Sequence, residues 1–366
     1  MPTYDEAKQT VEKLFIEGKY EDCERLADHL LGITLKDPWV MGLLGTLHMK
    51  MDRQGHSLLF FQRAISLDPK MVEAWNGLGA ALRNVGQEDA SRECYKTALE
   101  IDPKNAGVWS NWAGSYVNYG EPEKCIEYAT KALEIDPDFD KPKTNMGMAY
   151  MEMGEFEKGF DLYRNRKTVQ GYTKRDYGCP EWDGKDTECL VLHGEQGIGD
   201  EIMFLTCFED LKKRVDNIVV ECTPRLVKTL KNTLGVPCYA KPKEVLENHK
   251  PTAWLAMGDL GYWFRRRGKF PDGVYLKPVE TYPKGKKFRV GIGWYGGTRK
   301  THDYARNFPS SFWKPVLSHD VEYISLQYGP HGKTEAEVMG ITHDQESIDD
   351  LDKLIAMVKS CDLVIT

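Results

Sequence analysis

Residues 193 to 204 read HGEQGIGDEIMF, three glycines and three acids in one short stretch where an apolar run gives way to a helical pattern. Gly194, Gly197 and Gly199 allow a ligand to approach the backbone, Glu195, Asp200 and Glu201 supply carboxylates, and Gln196 supplies an amide. Three readings fit these residues. A glycine loop ahead of a helix N-terminus can cradle a phosphate. The acids oppose that reading by like charge, and the spacing GEQGIG matches neither a P-loop nor a dinucleotide fingerprint. In the second reading Asp200 takes the proton of a hydroxyl acceptor, and the glycines admit a bulky substrate. In the third Asp200 caps the first N–H groups of the helix that follows. Capping and proton transfer are compatible in one residue.

The elements around this loop alternate. "ECLVLH", "NIVVEC", "PCYA" and "AWLAM" read as short strands, separated by helical stretches over 200–214 and 224–234. "FRVGIGWY", "EYISLQ" and "DLVIT" read as three more, with helices near 311–317 and over 349–359. Such alternation predicts parallel sheets covered by helices. Two sheets are expected, divided at the Pro- and Lys-rich segment "KPVETYPKGKK". Ligands of open parallel sheets gather at the carboxyl ends of the strands, and the loop from Gly194 to Gly199 is such an end.

Upstream the pattern changes. Asp68-Pro69, Asp102-Pro103 and Asp136-Pro137 recur every 34 residues. Frames of that length starting at Tyr4, Pro38, Val72, Ala106 and Asp140 align Gly45, Gly79, Ala113 and Gly147 where two helices must approach closely. They also align Ala64, Ala98 and Ala132, and they place Gly86, Gly120 and Gly154 at the turn between helices. These frames resemble tetratricopeptide (TPR) repeats, helical hairpins that bury their apolar faces by stacking. The frame from Tyr4 is divergent, as a capping repeat is. Trp75, Trp109 and Trp112 sit at core positions by the helical period. The concave face of such a solenoid docks a peptide or another protein, an expectation from architecture alone. The polar, Gly- and Pro-punctuated segment "KTVQGYTKRDYGCPEWDGKD" sets a boundary near residue 170.

Composition narrows the classes. The 366 residues carry a formal net charge of −7, with 41% hydrophobic and 29% charged residues. That is ordinary globular composition, with no broad basic surface for nucleic acid; Arg265, Arg266 and Arg267 read as a solvated loop. No run of roughly 18 apolar residues is present to span a bilayer, and a cytoplasmic location is expected. Nine cysteines without a CxxC pair argue against a disulfide framework and a zinc ribbon. Buried thiols are expected, with no metal and no cofactor.

Taken in order, "EWDGKDTECLVLHGEQGIGDEIMF", "FRVGIGWYGG", "RNFPSSFW", "YISLQYG" and "DLDKLIAMVKSCDLVIT" resemble TPR-fused, glycosyltransferase-like proteins of bacteria and phages, similar to the lipopolysaccharide heptosyltransferases. The resemblance implies a GT-B architecture: a repeat domain over 1–170, an acceptor-side Rossmann-like lobe over 171–285 and a partial donor-side lobe over 286–366. It implies metal-independent, inverting transfer of a sugar from a nucleotide-sugar donor to a protein or polysaccharide acceptor. Asp200 matches the family's general base, Arg306 in "RNFP" the basic residue on the donor phosphates, and Thr298 and Arg299 the loop near the diphosphate. An Arg in that loop can give a leaving diphosphate two parallel hydrogen bonds; otherwise Arg299, Lys300 and Arg306 form a solvated basic loop. Trp294 and Tyr295 either stack on a base or sugar or pack in the core. Relatives continue past the strand "CDLVIT" into a further turn and a His-containing helix, so the donor-side lobe reads as shortened, with three strands. Two functions follow as expectations: a sugar transferase, or a protein-interaction scaffold carrying a degenerate transferase domain.

Overall fold

The repeat period is written in the backbone. Gly18, Asp52, Gly86, Gly120 and Gly154 recur every 34 residues with φ of 72°, 60°, 80°, 72° and 79°. This left-handed conformation ends one helix and turns the chain into the next, and glycine adopts it without strain. The computed structural model describes residues 4–34, 36–117, 120–169, 172–270, 275–294, 296, 309–329 and 332–366. The chain divides into two compact units, one ending at Met153 and the other starting at Gly154.

The first unit contains α1 (Tyr4–Ile16), α2 (Tyr20–Ile33), α3 (Pro38–Lys50), α4 (Gln54–Leu67), α5 (Val72–Asn84), α6 (Glu88–Ile101), α7 (Ala106–Gly114), α8 (Pro122–Ile135) and α9 (Asp140–Glu152). Successive helices pair as antiparallel hairpins, and the first helices α3, α5, α7 and α9 lie side by side. The small residues expected at the close approach do that work. A Cβ on Gly45 would stand 2.8 Å from the Phe61 ring, and one on Gly79 would stand 2.7 Å from the Tyr95 ring. The same hairpins are tied by a repeated hydrogen bond: Ser57 Oγ donates to the Gly45 carbonyl at 2.8 Å and Ser91 Oγ to the Gly79 carbonyl at 2.7 Å. Cys23 Sγ makes the matching contact to the Val11 carbonyl at 3.6 Å, so the divergent first frame keeps the repeat geometry. Ala64, Ala98 and Ala132 are fully buried. Trp75 and Trp109 donate their indole N–H groups to the carbonyls of Pro69 and Pro103, at 2.9 and 3.0 Å, and pack beside the core around Tyr95 and Ala98.

The second unit opens with α10 (Phe156–Tyr163) and a 3-10 turn over Arg164–Thr168. Its first sheet holds β1 (Leu190–His193), β2 (Ile218–Glu221), β3 (Cys238–Tyr239) and β4 (Ala253–Ala256), all parallel, in the order β3-β2-β1-β4. Helices α11 (Ile198–Phe204), α12 (Phe208–Lys212), α13 (Val227–Leu234) and α14 (Pro242–Asn248) connect them, and α15 (Leu260–Phe264) follows β4. Its second sheet holds β5 (Arg289–Ile292), β6 (Glu322–Ser325), β7 (Thr342–His343) and β8 (Leu363–Ile365), parallel in the order β7-β6-β5-β8. Helices α16 (Gly332–Met339), α17 (Gln345–Asp349) and α18 (Leu351–Lys359) complete it. The two sheets thus share one strand order. Strands β1, β2 and β5 are buried on both faces, as parallel strands under helices must be.

Three local expectations are corrected. The second sheet has four strands and not three, because β7 is two residues long and too short to show any period. The helix expected from Asp200 starts at Ile198 and is interrupted by a 3-10 turn at Leu205–Cys207. The helix expected near 311–317 is instead a pair of 3-10 turns, Ser310–Trp313 and Val316–Ser318.

The lobes of this unit are joined through a buried carboxylate. Asp352 on α18 accepts from Thr229 Oγ1 on α13 at 2.6 Å and from the N–H groups of Val279 and Glu280 at 2.9 and 2.8 Å. Burial favours its neutral form, but these donors outweigh burial and hold its carboxyl below the usual range. All nine cysteines are free thiols; seven are buried, and Cys179 and Cys361 are half-buried.

Gly79→Ala should push a methyl group into the Tyr95 ring and lower the stability of the repeat unit by about 1–3 kcal/mol, the usual scale for overpacking a filled core. Urea unfolding followed by far-ultraviolet circular dichroism measures this; an unchanged midpoint would show that the hairpin relaxes freely.

Candidate functional site

The loop after β1 is held from behind by an ion network. The 3-10 turn after α10 presents Arg164, Arg166 and Lys167, and these face Glu181, Glu195 and Asp259. Arg166 and Glu195 make a two-pronged pair: Nε donates to Oε2 at 3.1 Å and Nη2 donates to Oε1. Arg166 Nη1 also donates to Asp259 Oδ1 at 2.6 Å, and Lys167 Nζ to Asp259 Oδ2 at 2.7 Å. Asp259 is fully buried. Burial favours its neutral form, yet Arg166 and Lys167 hold it below the usual carboxylate range. The Gly258 N–H donates to Glu195 Oε1 at 2.8 Å, and a Cβ on Gly258 would stand 2.5 Å from that same oxygen. Gln196, at φ 64°, donates to the Tyr163 hydroxyl at 2.6 Å.

In front of this network lies a cavity of about 410 Å³ at the carboxyl ends of β1 and β2. Its lining includes Gly194, Glu195, Gln196, Glu201, Glu221 and Arg175. Glu201 accepts from the Thr223 N–H at 3.0 Å and the Thr223 hydroxyl at 2.7 Å. Burial pushes its carboxyl above the ordinary glutamate value, against the pull of those two hydrogen bonds. Glu221 accepts from Arg175 Nε at 3.1 Å and from the Tyr177 hydroxyl. Tyr172 also lines the space, and its buried hydroxyl has no hydrogen-bond partner among the described residues. Three carboxylates against one guanidinium make this cavity unfit for a phosphate. A ligand rich in hydroxyl groups suits it, since each carboxylate accepts a charge-assisted hydrogen bond.

The opening glycine of the loop has an internal use. A Cβ on Gly194 would stand 2.5 Å from Glu201 Oε1, so the space beside this backbone is filled by the protein's own carboxylate. Asp200 does not line the cavity. It is the third residue of α11, and its Oδ2 accepts the Gly197 N–H at 3.0 Å, a backward-reaching cap rather than the N-cap position itself. Gly197 and Gly199 do not line the cavity either. Trp294 is 2% exposed in the core of the second sheet, beside Ile292 and Trp313; its backbone N–H donates to Gln327 at 3.0 Å and its indole N–H to Glu335. Tyr295, Thr298, Arg299 and Arg306 lie outside the described residues. Among the described residues no group of three or more His, Cys, Asp and Glu is arranged to hold a metal ion, and no helix is long and apolar enough to cross a membrane.

Sequence reasoning passed over Glu221, Arg175, Arg166 and Asp259. Glu221 carried a signal: it is an acid closing the buried run "NIVVE", at the strand end where ligands gather. Arg166 and Asp259 carried none, because their pairing spans 93 residues.

Comparison with known proteins supports the first unit. Residues 72–105 and 106–139 each match tetratricopeptide repeat models, so the hairpins α5–α6 and α7–α8 are TPR repeats. Protein FlbA of Caulobacter vibrioides is 27% identical over 250 residues, a match covering 57% of this chain and 41% of that protein. This chain therefore spans about two fifths of the length of the curated relative it matches. Solved structures similar to it include a thermophilic TPR protein of Thermus thermophilus, at 17% identity and TM-score 0.42, covering 46% of this chain and 92% of that one. They also include pilF of Pseudomonas aeruginosa, at 14% identity and TM-score 0.41, covering 48% and 78%.

Arg166→Ala should leave Glu195 buried without its cation and Asp259 with only Lys167 and Arg164 beside it, and cost the second unit about 3–5 kcal/mol. Since Asp259 is held below its unfolded value, its contribution is present above the ordinary aspartate pKa and fades as pH falls through the depressed folded value. The difference between parent and variant in urea midpoint should therefore shrink in strong acid. A difference that does not change with pH would remove Asp259 from the account.

Proposed function

We propose that this chain is a protein-interaction scaffold that recruits a partner through its TPR repeats. The observation that carries this reading is the side-by-side array of first helices α3, α5, α7 and α9, a surface that each hairpin extends by one helix. Panning a library of short random peptides against the full chain tests it. Enriched peptides should lose affinity when first-helix residues such as Asn76 and Asn111 are changed to Ala, and the absence of any enriched sequence would end the recruitment reading.

A second reading is favoured by one observation, the polar cavity at the carboxyl ends of a parallel sheet whose strand order is repeated in the neighbouring sheet. We propose for it a GT-B-like, metal-independent sugar transferase. A hydroxyl acceptor, on a protein or a polysaccharide, seats part of its length in the cavity and presents its reacting hydroxyl outside it, at Asp200, which takes the acceptor proton; a nucleotide-sugar donor meets Thr298, Arg299 and Arg306. The hydrogen bond from Gly197 already occupies one Asp200 oxygen, so the other must do that chemistry. Calorimetry with a panel of nucleoside diphosphates and their sugars should give heat that Arg306→Ala abolishes. With turnover in hand, Asp200→Asn should slow it by about 10² or more; no heat with any nucleotide would defeat this reading for the chain.

A further inference from the structure

The eleventh position of the 34-residue frames holds Leu14, His48, Leu82, Tyr116 and Tyr150, so one histidine stands where the other frames place an apolar or aromatic residue. It is buried like its counterparts: His48 is 5% exposed, against 8% for Leu82 and 5% for Tyr116. Its ring, on α3, sits at the seam between the first and second hairpins. On one side it stacks on two rings of α4, Phe60 at a centroid distance of 5.1 Å and His56 at 5.2 Å. On the other side its Nε2 stops 3.7 Å from Glu24 Oε1 of α2.

A charged imidazole carries two N–H donors and needs an acceptor for each, and this seam lacks them. Nδ1 is buried without a hydrogen-bond partner among the described residues. The Glu24 oxygen that faces Nε2 already accepts from Arg53 Nη1 at 2.6 Å. The titratable and charged groups around the ring are Glu24 and Asp28 on α2, Arg53 in the turn before α4 and His56 on α4. Protonation of both histidines would set three positive charges against two negative ones, with two of the three in a single stack. Burial outweighs the pull of Glu24 and, with His56 and Arg53, holds His48 below the ordinary histidine range.

The first hairpin docks on the second through α2 and α3, around Ala27, Leu30, Leu44 and Leu47. Stacked repeats hold together through such nearest-neighbour interfaces, and one interface can open while the rest of the array stays folded. We propose that His48 is an acid-sensitive release for the first hairpin: its protonation parts α1 and α2 from α3 and uncovers the apolar face around Leu44 and Leu47, while α5 to α9 stay folded. The neutral ring contributes its full stability above the ordinary histidine range. That contribution fades as pH falls through and below the range, because the released ring takes up a proton that the docked ring refuses. Asp28 pulls the other way, since partial burial and then Glu24 raise its carboxyl.

Hydrogen–deuterium exchange of the full chain tests this at about pH 7.5 and about pH 5.5, on either side of the ordinary histidine pKa. Rates are expressed as protection factors, so that the intrinsic pH dependence of exchange cancels. Protection of α1 and α2 should fall about threefold or more at the lower pH, with α5 to α9 unchanged. His48→Leu puts the residue of the neighbouring frames at this position and should abolish the fall; His48→Phe, a second apolar variant, should do the same. His29→Gln, exposed on α2, should leave the fall as it is in the parent. Constant protection of α1 and α2 in the parent overturns the proposal, and so does a fall in the two His48 variants equal to that of the parent. Loss of protection across α1 to α9 together overturns it in favour of acid unfolding of the whole unit.

Discussion

The pairing of Arg166 with Glu195 and Asp259 fixes the second unit. One guanidinium, supplied by the turn after α10, holds the loop that leaves β1 and the turn that leaves β4. Without it, Glu195 would be buried with no cation beside it and Asp259 would keep only Lys167 and Arg164, and an unpaired buried charge is far too costly to keep. Gly258 is a consequence of the same contact, since any side chain there would displace the carboxylate that Arg166 holds. The cavity in front of Glu195 keeps its shape because its back wall is an ion pair with directional hydrogen bonds rather than loose apolar packing.

The two units hold their polar groups in opposite ways. In the second, cations and carboxylates are matched one against another in the buried network, and a further carboxylate, Asp352, is satisfied by a hydroxyl and two backbone N–H groups. In the first, the repeat helices leave Arg83 and Lys141 beside amides and beside each other. A folded chain tolerates the first arrangement for stability.

The repeats were legible because one short signal, Asp-Pro every 34 residues, recurs and is backed by small residues at a fixed offset. The Asp of each pair ends a helix in extended backbone, and the small residues serve a left-handed turn or a close helix approach, so the sequence pattern and the geometry coincide. The sheets were legible from their apolar runs, except for β7, where two residues cannot display a period. The site was legible in place but only partly in detail. Glycine and acid in "HGEQGIGDE" marked the right strand end, yet the glycine that looked like room for a ligand is room for Glu201. Asp200, the residue most like a base, is turned back onto Gly197, while Glu221 and Arg175, which face the cavity, stood in segments read only as strand and linker.

The thiols give the molecule built-in clocks. Burial pushes Cys94 and Cys207 up to about 11 and Cys125 and Cys238 up to about 12, so at neutral pH almost none of each is the reactive thiolate. An alkylating reagent must wait for the surrounding structure to open before it can react. Cys94 and Cys125 lie in the repeats, and Cys207 and Cys238 around the first sheet. The rate at which each pair is modified reads the opening of its own unit without a single introduced label.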